Sequence, residues 1–156
     1  VIDLSIPGRG NFVLKYLVLD VNGTLAVDGT LLEGVAERLD RLREQLEIHL
    51  VTADTHGTQS TIEAELRVTA THIRAGQERE QKAALINQLS PEHVVAIGNG
   101  ANDIDMLKDA VIGIAVLGPE GASAETLLAA DVVVTSISDA FDLLLIPKRL
   151  IATLRR

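Results

Sequence analysis

The sequence predicts an α/β fold, a three-layer, doubly wound and mainly parallel sheet. Two observations predict it. Short apolar runs alternate along the chain with stretches of helical periodicity, the pattern of a parallel sheet with helices on both faces. The runs are also apolar at nearly every position, as strands buried on both faces are.

The elements follow in order. "IDLSIPGRGNFVLK" fits a small N-terminal β-hairpin, with Pro7, Gly8, Arg9 and Gly10 supplying the turn. "FVLKYLVLD" reads as a buried strand ending at Asp20. Leu32, Val35, Leu39, Leu42 and Leu46 recur at helical spacing. "EIHLVTAD" is a strand ending near Thr52, and Thr58 to Leu66 a short helix. "THIRA" is a weaker strand before a helix from about Gln77 to Leu89. "HVVAIGNG" is a strand running into a Gly-flanked turn, followed by a short helix over Asn102 to Lys108. "VIGIAV" and "DVVVT" are strands with a helix, Ala122 to Ala129, between them. A last helix begins near Ser138 and is expected to break at Pro147, leaving residues 147–156 as a tail.

Composition narrows the function. The 156 residues fit one domain, 1–156, with no linker or repeat. Hydrophobic residues make up 47% but aromatics only 2%, so the core must be aliphatic. A net charge of −8 argues against nucleic acid or an anionic membrane as partner. It is compatible with a cation site, or with a phosphate held through a cation. Without cysteine there is no disulfide or thiolate metal site. His49, His56, His72 and His93 lack ligand spacing. No apolar stretch has the roughly 20 residues of a membrane span. The opening residues lack the features of a signal peptide, so a cytoplasmic protein is the expectation.

Ligands of such sheets sit at the carboxyl ends of the strands, and polar residues gather there. The first main strand ends in Asp20, followed by Asn22, Gly23 and Thr24. The second ends in Thr52, with Asp54 close by. The fourth ends in Gly98-Asn99-Gly100, then Asn102 and Asp103. Lys82, in the first half of its helix, belongs to the same edge and shares an inward face with Leu85 and Leu89. Each residue alone has an ordinary explanation. Asp and Asn are common after strands, Asn102 or Asp103 suits a helix cap, and a buried lysine can snorkel. Together they suggest phosphoryl chemistry. Asp20 can serve as a carboxylate nucleophile, giving an aspartyl-phosphate. Mg²⁺ held by Asp20 and Asp103 would neutralise the phosphoryl charge. Thr52 and Lys82 could hold its oxygens, with backbone N–H groups around Gly23.

These residues carry a resemblance. "DVNGTL", Thr52, Lys82 and "GNGAND" resemble, in order, the four motifs of the haloacid dehalogenase-like superfamily. The match is closest to the phosphorylation domain of P-type ATPases. Asp20, Gly23 and Thr24 match its Asp-Lys-Thr-Gly-Thr signature. Thr52-Ala53-Asp54 resembles its Thr-Gly-Asp element, and Gly98 to Asp103 its Gly-Asp-Gly-x-Asn-Asp hinge. The stretch "GIAVLGPEGASAETLLAADVVV" is similar to the ATPase segment beyond that hinge. The resemblance covers roughly residues 16 to 146 and implies a Rossmann-like core.

It implies site residues as well. Asp20, Asn22, Thr52 and Lys82 would be catalytic. Gly23, Thr52, Ala53, Lys82 and Asn102 would bind phosphate. Asp20, Asn22 (through its carbonyl), Asn99 and Asp103 would bind Mg²⁺. Residues 25–51 and 53–81 are too few for a cap domain or for the ATPases' nucleotide-binding insertion. The chain therefore resembles a soluble, capless relative and not a pump. A flap over about 25–32 would follow the first motif, the substrate would be a small phosphorylated compound, and a homo-oligomer could cover the open site.

Two positions depart from the family pattern. Asn22 stands where the phosphatases usually carry an Asp that protonates the leaving group and then activates water. An amide exchanges no proton at neutral pH, and such help is worth about 10²–10⁴-fold. Slow turnover or a long-lived phosphoenzyme is expected. Asn99 stands where a metal-ligating Asp is usual, which implies weaker Mg²⁺ binding. The sequence thus leaves two readings: a slow Mg²⁺-dependent phosphohydrolase or phosphotransferase, or a catalytically retired binding or regulatory module.

Overall fold

The computed structural model describes residues 1–53 and 59–156. Asp54, His56 and the first residue of the predicted helix at Thr58 lie outside these. Strands β1 (Ile2–Ile6) and β2 (Gly10–Leu14) form the predicted antiparallel hairpin. The long apolar run does not continue as one strand. At Lys15 the chain leaves the hairpin and enters the main sheet, with Lys15 N–H on the His93 carbonyl and Glu47 N–H on the Lys15 carbonyl, both at 2.9 Å.

The main sheet comprises β3 (Tyr16–Asp20), β6 (Glu47–Thr52), β7 (Ala70–His72), β8 (Val94–Gly98), β9 (Ile112–Val116) and β10 (Val132–Val134). Its strands are parallel, in the order β10-β9-β8-β3-β6-β7. Between β3 and β6 lie a two-stranded flap, β4 (Ala26–Val27) and β5 (Thr30–Leu31), and helix α1 (Val35–Leu42). The flap turns through Asp28 and Gly29, both at positive φ, as a two-residue hairpin loop requires. The other helices are α2 (Gln59–Leu66), α3 (Glu78–Gln88), α4 (Ile104–Asp109), α5 (Ala124–Ala129), α6 (Ile137–Leu145) and α7 (Pro147–Leu154).

Alternation along the strands builds the layers, because successive side chains point to opposite faces. Leu17 and Leu19 of β3 join Val95, Ile97, Ile112 and Ile114 in one core, with α1, α6, α7 and the hairpin. Val18 joins Val94, Ala96 and Ala115 in the other, against Ile86 of α3 and Met106 and Leu107 of α4. Arg38 of α1 donates to Asp142 of α6 at 3.0 Å, and Arg79 of α3 grips Asp105 of α4 at 2.6 and 2.7 Å.

The predicted tail is mostly helix. Pro147 ends α6 and opens α7, at a first-turn position where its missing N–H and fixed φ do no harm. Leu150 and Leu154, one helical turn apart, are buried. Arg156 N–H closes onto the Pro7 carbonyl at 2.9 Å. Ile2, Leu4 and Ile6 are buried as well, so hairpin and C-terminal helix pack on the domain itself.

Candidate active site

Asp20 is the last residue of β3, which is flanked by β8 and β6. Beyond it the chain folds back over one carbonyl. The N–H groups of Thr24, Leu25 and Ala26 all point at Val21 O, at 3.2, 2.9 and 3.1 Å. This tight loop returns the Thr24 hydroxyl to Asp20 Oδ2 at 2.9 Å. The same hydroxyl lies 3.1 Å from Asn99 Oδ1. It has one proton to donate and faces two acceptors, so a proton on Asp20 would complete the chain from Asp20 through Thr24 to Asn99.

Lys82 enters from the first half of α3 and is 2% exposed. Its three ammonium protons meet three acceptors: Asp20 Oδ1 at 2.8 Å, Asp103 Oδ1 at 2.7 Å and Asn102 Oδ1 at 3.1 Å. Asp103 is fully buried. Its Oδ2 accepts the N–H groups of Asn99 and Gly100 at 2.9 and 3.0 Å. Gly98 makes room for this. A Cβ there would lie 2.5 Å from Asp103 Oδ2. Asp103 thus fixes the loop after β8 and holds Lys82.

Two carboxylates face one ammonium in a closed space. Burial, and then the Asp103 charge, push the Asp20 carboxyl up to about 7 against the pull of Lys82 and Thr24. Burial opposes the Lys82 charge, but Asp20 and Asp103 outweigh it and raise its pKa.

The remaining predicted residues surround this core. Asn22 Nδ2 donates to Thr52 Oγ1 at 3.2 Å, linking the ends of β3 and β6. Ala53 follows Thr52 and is half-buried. Gly23, at φ +83°, gives its N–H to the Ala26 carbonyl at 2.8 Å and not to the cleft. Asn99 Nδ2 donates to Gly121 O at 3.2 Å, which fixes the orientation of the amide. Two residues at the site have no assigned role in the sequence reading. Thr24 was marked only by its place in a signature. Glu120, in the turn after β9, carries its carboxylate to Gly23, where a Cβ would meet Glu120 Oε1 at 2.9 Å.

The donor set suits a hard cation. Asp20, the side-chain oxygen of Asn99 and the Asn22 carbonyl could hold one, all through oxygen, as Mg²⁺ prefers. Charge points the same way, since two buried carboxylates, Asp20 and Asp103, share the single ammonium of Lys82. Among the described residues no three His, Cys, Asp or Glu side chains form a ready metal cage. Water would have to complete the shell, which Mg²⁺ retains readily.

A family model described as haloacid dehalogenase-like hydrolase matches residues 6–110. The chain belongs to this family. Among solved structures of similar fold is the 3-deoxy-D-manno-octulosonate 8-phosphate phosphatase of Moraxella catarrhalis, in complex with magnesium, phosphate and KDO. The two are 21% identical with a TM-score of 0.63, over 91% of this chain and 94% of that one, and share the fold. The uncharacterized protein MJ0073 of Methanocaldococcus jannaschii is 46% identical over 84 residues, 51% of this chain and 90% of that protein. A copper-exporting P-type ATPase of Staphylococcus epidermidis is 31% identical over 137 residues, 85% of this chain but 16% of the ATPase. The chain is thus a distant haloacid dehalogenase-like relative of the ATPases' phosphorylation domain. Among its described residues no helix is long and apolar enough to cross a membrane.

Proposed function

We propose that the chain is a single capless haloacid dehalogenase-like core acting as a slow, Mg²⁺-dependent phosphohydrolase or phosphotransferase on small phosphorylated compounds, in the cytoplasm. The observation that carries this reading is Asp20: a buried carboxyl at the end of a central strand, held from one side by Lys82 and from the other by Thr24. A buried carboxyl at a strand end that shares one ammonium with a second carboxylate is the kind of perturbed group that marks functional sites.

In the forward step an Asp20 oxygen bonds to phosphorus as the bond from phosphorus to the leaving oxygen breaks. Bound Mg²⁺ would supply neutralisation of the phosphoryl oxygens. Lys82 orients Asp20, and with Thr52, Asn102 and the backbone at Ala53 it would bind the phosphoryl group. Asn22 has no proton to give. Leaving groups that depart as stable anions, such as carboxylates from acyl phosphates, are therefore favoured over alkoxides.

The amides at 22 and 99 favour a second reading, a retired binding module, because both are satisfied by neighbours, Thr52 and Gly121. Phosphate release from acetyl phosphate and p-nitrophenyl phosphate, with and without Mg²⁺, separates the two. Mg²⁺-dependent release that disappears in Asp20→Asn supports the enzyme. Equal background from both proteins supports the binding module.

A further inference from the structure

The turn Gly118-Pro119-Glu120-Gly121 follows β9 and closes with Gly121 N–H on Gly118 O at 2.9 Å. It is pinned to the loop after β8 twice. Asn99 Nδ2 donates to Gly121 O at 3.2 Å, and Ser123 N–H donates to Asn99 O at 3.0 Å. A carboxylate at position 99 would face the Gly121 carbonyl with an oxygen and could not make the first of these bonds. The amide thus gives up a charge and gains the donor that seats the turn.

That turn brings a charge back. A Cβ built on Gly23 would lie 2.9 Å from Glu120 Oε1, 3.1 Å from Glu120 Cδ and 2.9 Å from Asn99 Nδ2. The Glu120 carboxylate and the Asn99 amide therefore converge over Gly23, in space left open by its missing side chain. Glu120 is exposed, and among the described residues it has no ion-pair partner.

We propose that Glu120 supplies the negative charge that Asn99 lacks, acting on a divalent cation held by Asp20 and Asn99 through that ion's water shell. This rests on the cation site proposed above. Glu120 is then a positioning residue, and outer-shell partners of this kind typically change metal affinity by about 10–100-fold.

Mn²⁺ binding to the full chain, followed by calorimetry and by the electron paramagnetic resonance of free Mn²⁺, tests it without substrate. Glu120→Gln should weaken binding by about tenfold while leaving the melting temperature of the metal-free protein in place. Adding Asn99→Asp to Glu120→Gln should restore binding to at least the wild-type level. Wild-type affinity in Glu120→Gln would overturn the role of Glu120 and leave the cation site standing. A weakened Glu120→Gln that Asn99→Asp fails to rescue, with the metal-free melting temperature of the double variant unchanged, would also overturn it, because the charge would then not be exchangeable between the two positions. Failure of the wild-type chain to bind Mn²⁺ would overturn this role and the cation site together.

Discussion

The Lys82 ammonium donates to Asp20 Oδ1 at 2.8 Å across 62 residues of sequence, both side chains shut away from solvent. Removing the lysine strands Asp20 and Asp103 as buried carboxylates without a counter-charge. Lys82→Met should cost about 3–5 kcal/mol of stability at neutral pH. Urea unfolding measures it, and a loss under about 1 kcal/mol would show that the pair behaves as if exposed.

Acidity should act on stability through Asp20. Its carboxyl has an ordinary value of 3.8 and is pushed up to about 7 in the fold. The folded state binds this proton more tightly than the unfolded chain. The stability it contributes is complete below pH 3.8 and is lost as the pH rises through about 7. With a chelator present, Asp20→Asn should melt above wild type at pH 8, with the gap shrinking towards pH 4. Parallel curves for the two proteins would contradict this.

Mg²⁺ should oppose the same loss. At ten times its dissociation constant it should add about 1.4 kcal/mol to folding, and chelation should remove that gain. Thermal melts at pH 8 with graded Mg²⁺ test it, and the response should vanish in Asp20→Asn.

Position 22 should set the leaving-group dependence. Asn22→Asp restores a group that can give and take a proton. It should speed alkyl phosphate turnover by about 10²–10⁴-fold, and affect the first step with p-nitrophenyl phosphate and acetyl phosphate, whose leaving groups depart as stable anions, far less. It should also shorten the life of any phosphoenzyme on Asp20, followed by rapid quench. An equal effect on all leaving groups would remove the general-acid role from this position.

Gly23→Ala tests the close approach around the first loop. The φ of +83° disfavours a Cβ by roughly 1–2 kcal/mol. The methyl would also meet the Asn99 amide and the Glu120 carboxylate at 2.9 Å. Unfolding measurements should show that cost, and Mn²⁺ titration a weaker site.

Much of this was legible in the sequence because parallel strands buried on both faces announce themselves as apolar runs, and the residues after them fall at one edge. Asp20, Thr52 and Asn99 could be placed so. Lys82 could be placed by the helix half that holds it. What Asp103 does was not legible. Its position in the chain puts it at a helix start, but only the closed fold shows both its oxygens engaged, by Lys82 and by the loop backbone. Glu120 was invisible for a similar reason, since its meeting with Gly23 depends on how two distant turns are tied together. Pro147 ends α6 as expected, but proline also suits the first turn of a helix, so the stretch read as a tail folds as α7.

The central position of β3 has an evolutionary consequence. Asp20 is anchored between two neighbouring strands and Lys82 in a packed helix, so this pair has little freedom to vary. The flap at residues 26–31 and the turn at 118–121 lie outside the main sheet. Lengthening or recolouring them would change what lies around the site while the main sheet stays intact. New substrate preferences in descendants of this chain should therefore be written in those two short segments.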